Sequence, residues 1–188
     1  LWIMLLTRPA SLFHHATERQ ILATVRRWLR HGPSHLPIHR PPLAVRTLAA
    51  TAGFFYRAAL RRPASTLGWT SLARRGLGEV MMHRHGSCPF AALTLITEAR
   101  GRVDRTVGED EFSALGAHQA LALLYEGSYA QAEEILTATA SYYSLGTKYV
   151  SGLIKVFIIQ ALCMAAQGKR SEAAQAVQEI DDLAKRFR

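Results

Sequence analysis

The residues best suited to chemistry in this 188-residue chain are eight histidines and two cysteines, Cys88 and Cys163. His83-x-His85-x-x-Cys88 puts three donor atoms into one short stretch, as metal ligands often are. A closed zinc site needs a fourth ligand, and no second Cys/His pair stands at a standard spacing. The expectation is surface or turn histidines and no bound metal. Cys88 with His83 or His85 would set a thiol beside a base, but nothing orients the pair as a nucleophile. His31, His35 and His39 recur at every fourth position, yet Gly32, Pro33 and Pro37 prevent one helix from aligning them. His14 and His15 stand before the first clear helical pattern and are expected to be exposed. No Gly-x-Ser-x-Gly elbow is present. The adjacent acids Glu133 and Glu134, like Asp181 and Asp182, diverge by about 100° around a helix and read as solvated faces. These residues point to no catalytic site and no cofactor, and the chain is not expected to be an enzyme.

Two other groups could bind rather than react. Arg19, Arg26, Arg27 and Arg30 form a stripe near Trp28 that could meet phosphate, although no sequence-reading motif accompanies it. Tyr125, Tyr142, Tyr143 and Tyr149 lie near turns and could line a ligand groove, core or seam packing being the plainer reading. The charge supports a division. Residues 1–105 carry sixteen Arg and no Lys against four acids, whereas residues 106–188 carry seven bases against ten acids. The total of +9 is therefore a balance of +12 beside one of −3. The basic region could serve a polyanion, but charge alone specifies no partner, and an Arg-for-Lys composition bias explains it as well.

Helical patterns position nearly all of these residues. Two cysteines and 49% hydrophobic residues fit a folded protein of a reducing compartment, expected to be cytoplasmic. Leu1 to Leu6 is too short an apolar run to span a bilayer, and no membrane role is expected. No alternating run of β-branched residues bounded by turn signals occurs. Ile21, Leu22, Val25, Trp28 and Leu29 form one helical stripe over 16–30, stopped by Gly32 and Pro33. Further helices are expected over 43–60, over 67–85 with weakening near Gly76 and Gly78, and over 90–99. A polar connector is expected over 103–108. Glu109, Asp110 and Glu111 then favour a helix start, with helices over 112–125, 129–143, 148–167 and 171–188. Ser171 is the expected cap of the last one.

The chain also repeats itself. Gly86, Gly127 and Gly168 are equally spaced, with a period of about 40 residues that suits a pair of helices and their loops. Ala91, Ala132 and Ala173 follow them at five residues, and Leu95, Leu136 and Val177 at nine. Val80, Leu121 and Leu162 precede them by six. Such a unit is a helix, a glycine turn and a second helix held close by a small residue. The expected fold class is an all-α solenoid of antiparallel helix pairs, tetratricopeptide-like, with a basic region at 1–105 and repeats at 106–188.

The repeat carries a resemblance. Leu124, Tyr125, Glu126, Ala132 and Glu133, followed by Ala166, Gly168 and Ala173, are similar to turns of tetratricopeptide-like repeats. More narrowly they resemble the repeat region of the large ATP-dependent, MalT-like LuxR-family transcriptional regulators of bacteria. Val25, Trp28 and Leu29 with Leu36, Pro37, Arg40 and Pro41 resemble the segment that often opens that region. Two departures stand out. The phosphate loop Gly-x-x-x-x-Gly-Lys-Ser/Thr of the family's ATPase is absent from the chain, and no helix-turn-helix reader follows Arg188. The resemblance implies the sensor and interaction part of such a regulator, alone or as a fragment, binding a protein or small effector and reaching DNA only through a missing domain. The alternative is a basic helical protein that binds nucleic acid directly.

Overall fold

Extending the stripe of Ile21, Val25 and Trp28 backwards by helical steps leads through Thr17 to Phe13 and His14, and the backbone follows it. In the computed structural model, which describes residues 2–32, 42–61, 67–83, 89–103, 105–144 and 150–186, the first helix already begins at Trp2. The described residues form eight helices: α1 (Trp2–His31), α2 (Leu43–Leu60), α3 (Leu67–His83), α4 (Pro89–Gly101), α5 (Arg105–Tyr125), α6 (Tyr129–Ser144), α7 (Val150–Ala166) and α8 (Arg170–Arg186). The protein is all-α, with no strand among the described residues.

Several boundaries differ from the sequence pattern for identifiable reasons. Gly76 and Gly78 do not break α3. Gly76 instead provides closeness, because a Cβ there would stand 2.1 Å from the Tyr56 ring of α2. Gly108 leaves helical geometry at φ −128° and ψ 37°, so a kink inside α5 marks the expected connector, and Glu109 to Glu111 follow it. Ser171 does not cap α8. It lies within the helix, its hydroxyl donates to Glu172, and the first helical bond of α8 runs from Ala173 N–H to the Lys169 carbonyl.

Two turns share one geometry. Gly127 and Gly168 have φ of +84° and +76°, the left-handed region that glycine enters without strain. The Gly127 N–H donates to the Leu124 carbonyl and the Ser128 N–H to the Leu123 carbonyl. The Gly168 N–H donates to Ala165 and the Lys169 N–H to Met164. The second set is the first moved along the chain by one repeat. Leu121 and Leu162 are buried before these turns, and Ala132 and Ala173 after them. Gly86 lies outside the described residues, and after it Ala91 is half-buried while Ala92 and Ile96 are fully buried. The step from Val80 to the buried alanine is thus one residue longer than the corresponding steps from Leu121 and Leu162.

Each helix from α2 onward packs on the next, and α3 on α5 and α5 on α7 as well. The long α1 departs from this order by packing on α2, α7 and α8. The main core therefore joins Ile21, Val25 and Trp28 to Leu121, Leu124, Val156, Ile159 and Leu162 across residue 105. A smaller core gathers Phe13 with Val45, Ala49, Ala52, Tyr56 and Val80. Burying these side chains is the main stabilising contribution.

Candidate functional site

Where side chains of α1, α3, α5 and α7 meet, the packing is polar. Glu79 on α3 is 1% exposed although it is a carboxylate. It shares the buried face of its helix with Gly76, Val80 and His83, where the 3.6-residue repeat brings it. Thr17 of α1 stands 2.8 Å from Glu79 Oε1 and donates to it. His118 Nε2 of α5 lies 2.9 Å from Glu79 Oε2, and Lys155 Nζ of α7 lies 3.6 Å from the same oxygen. His14 Nδ1 of α1 also touches Oε2, without the alignment of a hydrogen bond. Four helices thus place side chains around one carboxylate.

The outer nitrogens are held as well. His118 Nδ1 donates to the Ala114 carbonyl at 2.8 Å, one helical turn back. His14 Nε2 meets the Tyr56 hydroxyl of α2 at 3.0 Å. Lys155 Nζ lies 3.0 Å from His118 Nε2 and 3.8 Å from Glu18 Oε1. Burial pushes the Glu79 carboxyl up, but the charges of His14, Lys155 and His118, with the His118 hydrogen bond, together outweigh it and hold it well below the usual carboxylate range. Burial pulls His118 down to about 3, aided by Lys155 and opposed by Glu79. His118 is therefore uncharged at neutral pH. Burial likewise lowers His83 to about 4, again opposed by Glu79. Burial and then the Glu79 charge push the Tyr56 and Tyr125 phenols up.

This cluster forms one wall of a cavity of about 490 Å³. His14, Glu18, His118 and Lys155 give it a polar side, and Phe55, Tyr56 and Tyr143 give it aromatic walls. A pocket of that size with few convergent polar groups is typical of a small-molecule site. Gly152 fits directly against Tyr143, where a Cβ would meet the ring at 2.8 Å.

The residues singled out from sequence separate clearly. Tyr143 lines the cavity, and Tyr125 is edge-on to His83 with ring centres 5.7 Å apart. Tyr142 donates to Asp110, and Tyr149 lies outside the described residues. His83 is not a surface or turn histidine but 2% exposed on α3, while His85 and Cys88 lie outside the described residues. His14 belongs to α1 and is not freely exposed, whereas the His15 side chain remains 67% exposed. Of the arginine stripe, Arg26 binds Asp181 at 2.5 Å, while Arg19, Arg27 and Arg30 remain exposed. Asp181 is accordingly not a purely solvated acid. Ala132 and Ala173 are buried at the seams.

Sequence reasoning missed Glu79, Thr17 and Lys155 as a group, because they stand on three helices far apart in the chain. One signal was available: an acid on the otherwise apolar face of α3, one turn before a histidine. No family model matches the chain, and neither the curated proteins nor the solved structures give a match. No described helix is long and apolar enough to cross a membrane.

Proposed function

We infer that this chain is a cytoplasmic helical-repeat module that binds a small effector, from a MalT-like LuxR-type transcriptional regulator. The observation that carries the reading is the 490 Å³ cavity, walled by six helices and closed on one side by α1. Supporting it are the paired glycine turns one repeat apart and the successive packing of α2 to α8, which suit a solenoid of antiparallel helix pairs. The effector has an apolar or aromatic body for the Phe55, Tyr56 and Tyr143 walls and a polar head for His118 and Lys155. Its binding shifts α1 against the repeats, and in the whole regulator that change reaches the ATPase and DNA-reading parts. The reading gives the chain a binding role and no enzymatic one.

The test is a thermal-shift screen of small metabolites of that shape on the protein and on Ser151→Trp, which places an indole at the mouth of the cavity. A ligand at about a hundred times its Kd stabilises by about 2.7 kcal/mol. That is about 5–10 °C in Tm for a chain of this size. The reading expects a saturable shift that Ser151→Trp abolishes. No shift with any such compound, or an equal shift in the variant, contradicts it.

A second reading rests on Arg19, Arg27 and Arg30, exposed along α1, as contacts for nucleic acid. It expects binding to DNA or RNA that weakens steeply with salt, and a filter-binding assay at low salt decides it.

A further inference from the structure

Three acceptor atoms meet at one point beside the cavity, and their surroundings are arranged as those of metal ligands are. His14 Nδ1, Glu79 Oε2 and His118 Nε2 all lie within 4.8 Å of one another. An ion bonded to nitrogen and oxygen at about 2.0–2.1 Å holds its ligand atoms about 3.0–3.4 Å apart. The 2.9 Å between Glu79 Oε2 and His118 Nε2 is close to that separation.

The hydrogen positions lead the same way. His118 Nδ1 faces the Ala114 carbonyl, which only accepts, and Nε2 faces the Lys155 ammonium, which only donates, so the tautomer that serves both carries its proton on Nδ1. In neutral imidazole Nε2 then presents a lone pair, and it faces a carboxylate oxygen. His14 Nε2 is engaged by the Tyr56 hydroxyl, which leaves Nδ1 as the free nitrogen. Thr17 engages Oε1 of Glu79 and leaves Oε2 to point at both rings. Each candidate ligand is thus held from behind by a hydrogen bond on its other atom, the second-sphere pattern that orients metal ligands. Acceptors that converge in this way need a positive charge among them. Lys155 supplies one, 3.0 Å from His118 Nε2, and Glu18 stands 3.8 Å away to receive its ammonium if another cation takes the place.

We propose that His14 Nδ1, Glu79 Oε2 and His118 Nε2 form a site for a divalent transition-metal ion of the zinc class, which displaces the Lys155 ammonium and leaves a coordination position facing the cavity. Two imidazoles and one carboxylate suit zinc or its neighbours rather than magnesium or calcium. The site goes beyond the effector reading and does not rest on it, since the ion is read with no effector present.

The test titrates zinc into the metal-free full chain against a chromogenic chelator, and cobalt as a spectroscopic substitute. The proposal expects one tightly bound ion per chain and a visible cobalt spectrum of low-symmetry coordination. His14→Ala and His118→Ala weaken binding by more than about 100-fold. Lys155→Met removes the competing ammonium and tightens binding by about tenfold, and it keeps the proposal falsifiable if a ligand variant fails to fold. A chain that takes up no zinc overturns the proposal. So does one whose His14→Ala variant binds as the wild type does, since the ion then sits on exposed histidines such as His15, and so does a Lys155→Met variant of unchanged affinity.

Discussion

Between α5 and α6, and again one repeat later between α7 and α8, the chain turns through the same hydrogen bonds, on glycines at φ +84° and +76°. Between α1 and α3 nothing local joins the two helices; a buried carboxylate does, gripped by Thr17 from a distance of 62 residues along the chain. The repeat region is held by short-range geometry and an apolar seam. The junction of α1 with the repeats has its apolar contacts too, but adds to them a polar network centred on the buried Glu79 carboxylate. An apolar seam tolerates small adjustments, whereas a buried ion with fixed partners loses much when any partner goes.

Breaking the network at its centre has the largest expected effect. Glu79→Leu leaves Lys155 without its nearest carboxylate, while Thr17 keeps the His14 carbonyl and His118 the Ala114 carbonyl as acceptors, and is expected to cost about 3–5 kcal/mol in denaturant unfolding. A cost below about 1 kcal/mol would mean that the network contributes little.

Acid should weaken the junction before it weakens the repeat turns. The His83 value is lowered in the folded chain to about 4, against about 6.5 when unfolded. The unfolded chain therefore takes up the proton first. The stability is fully present above pH 6.5 and falls by about 1.4 kcal/mol per pH unit as the pH drops toward 4. The depressed His118 and Glu79 values act in the same direction. Tm measured from pH 7 to pH 5 should decline, and His83→Leu should flatten the decline. A variant with the wild-type slope would remove His83 from the explanation.

The smallest effect sharpens the other side of the comparison. Gly127→Ala and Gly168→Ala meet no atom within 4 Å, so their cost is backbone strain alone, about 1–2 kcal/mol each. Equal costs are expected of equivalent turns. A difference above about 1 kcal/mol would show that the two turns are not equivalent.

What could be read from the sequence follows from the same contrast. The bounds of α2 and the helices α4, α6, α7 and α8 were legible, because each carries its own periodic stripe, whereas α5 starts at Arg105, inside the stretch expected to be a connector, and only its kink at Gly108 marks that expectation. The first half of α1 was not legible, because its pattern is interrupted by polar residues such as His14 and Thr17, whose reason lies on other helices. On α8 the repeat spacing located the seam, since Ala173, five residues after Gly168, is buried while its neighbour Ala174 is exposed. The polar cluster was illegible as a unit. His14, Glu79, His118 and Lys155 meet only once α1, α3, α5 and α7 have been brought together, and no local rule specifies that meeting.

The contact between α1 and the repeats is tested most directly by a double-mutant cycle on Thr17→Val and Glu79→Leu, read by denaturant unfolding. Both side chains are 1% exposed and they share one hydrogen bond. The account predicts a coupling of about 1 kcal/mol or more, in keeping with buried partners in direct contact. Additivity within about 0.3 kcal/mol would contradict it, because α1 would then not lie against α3 in solution.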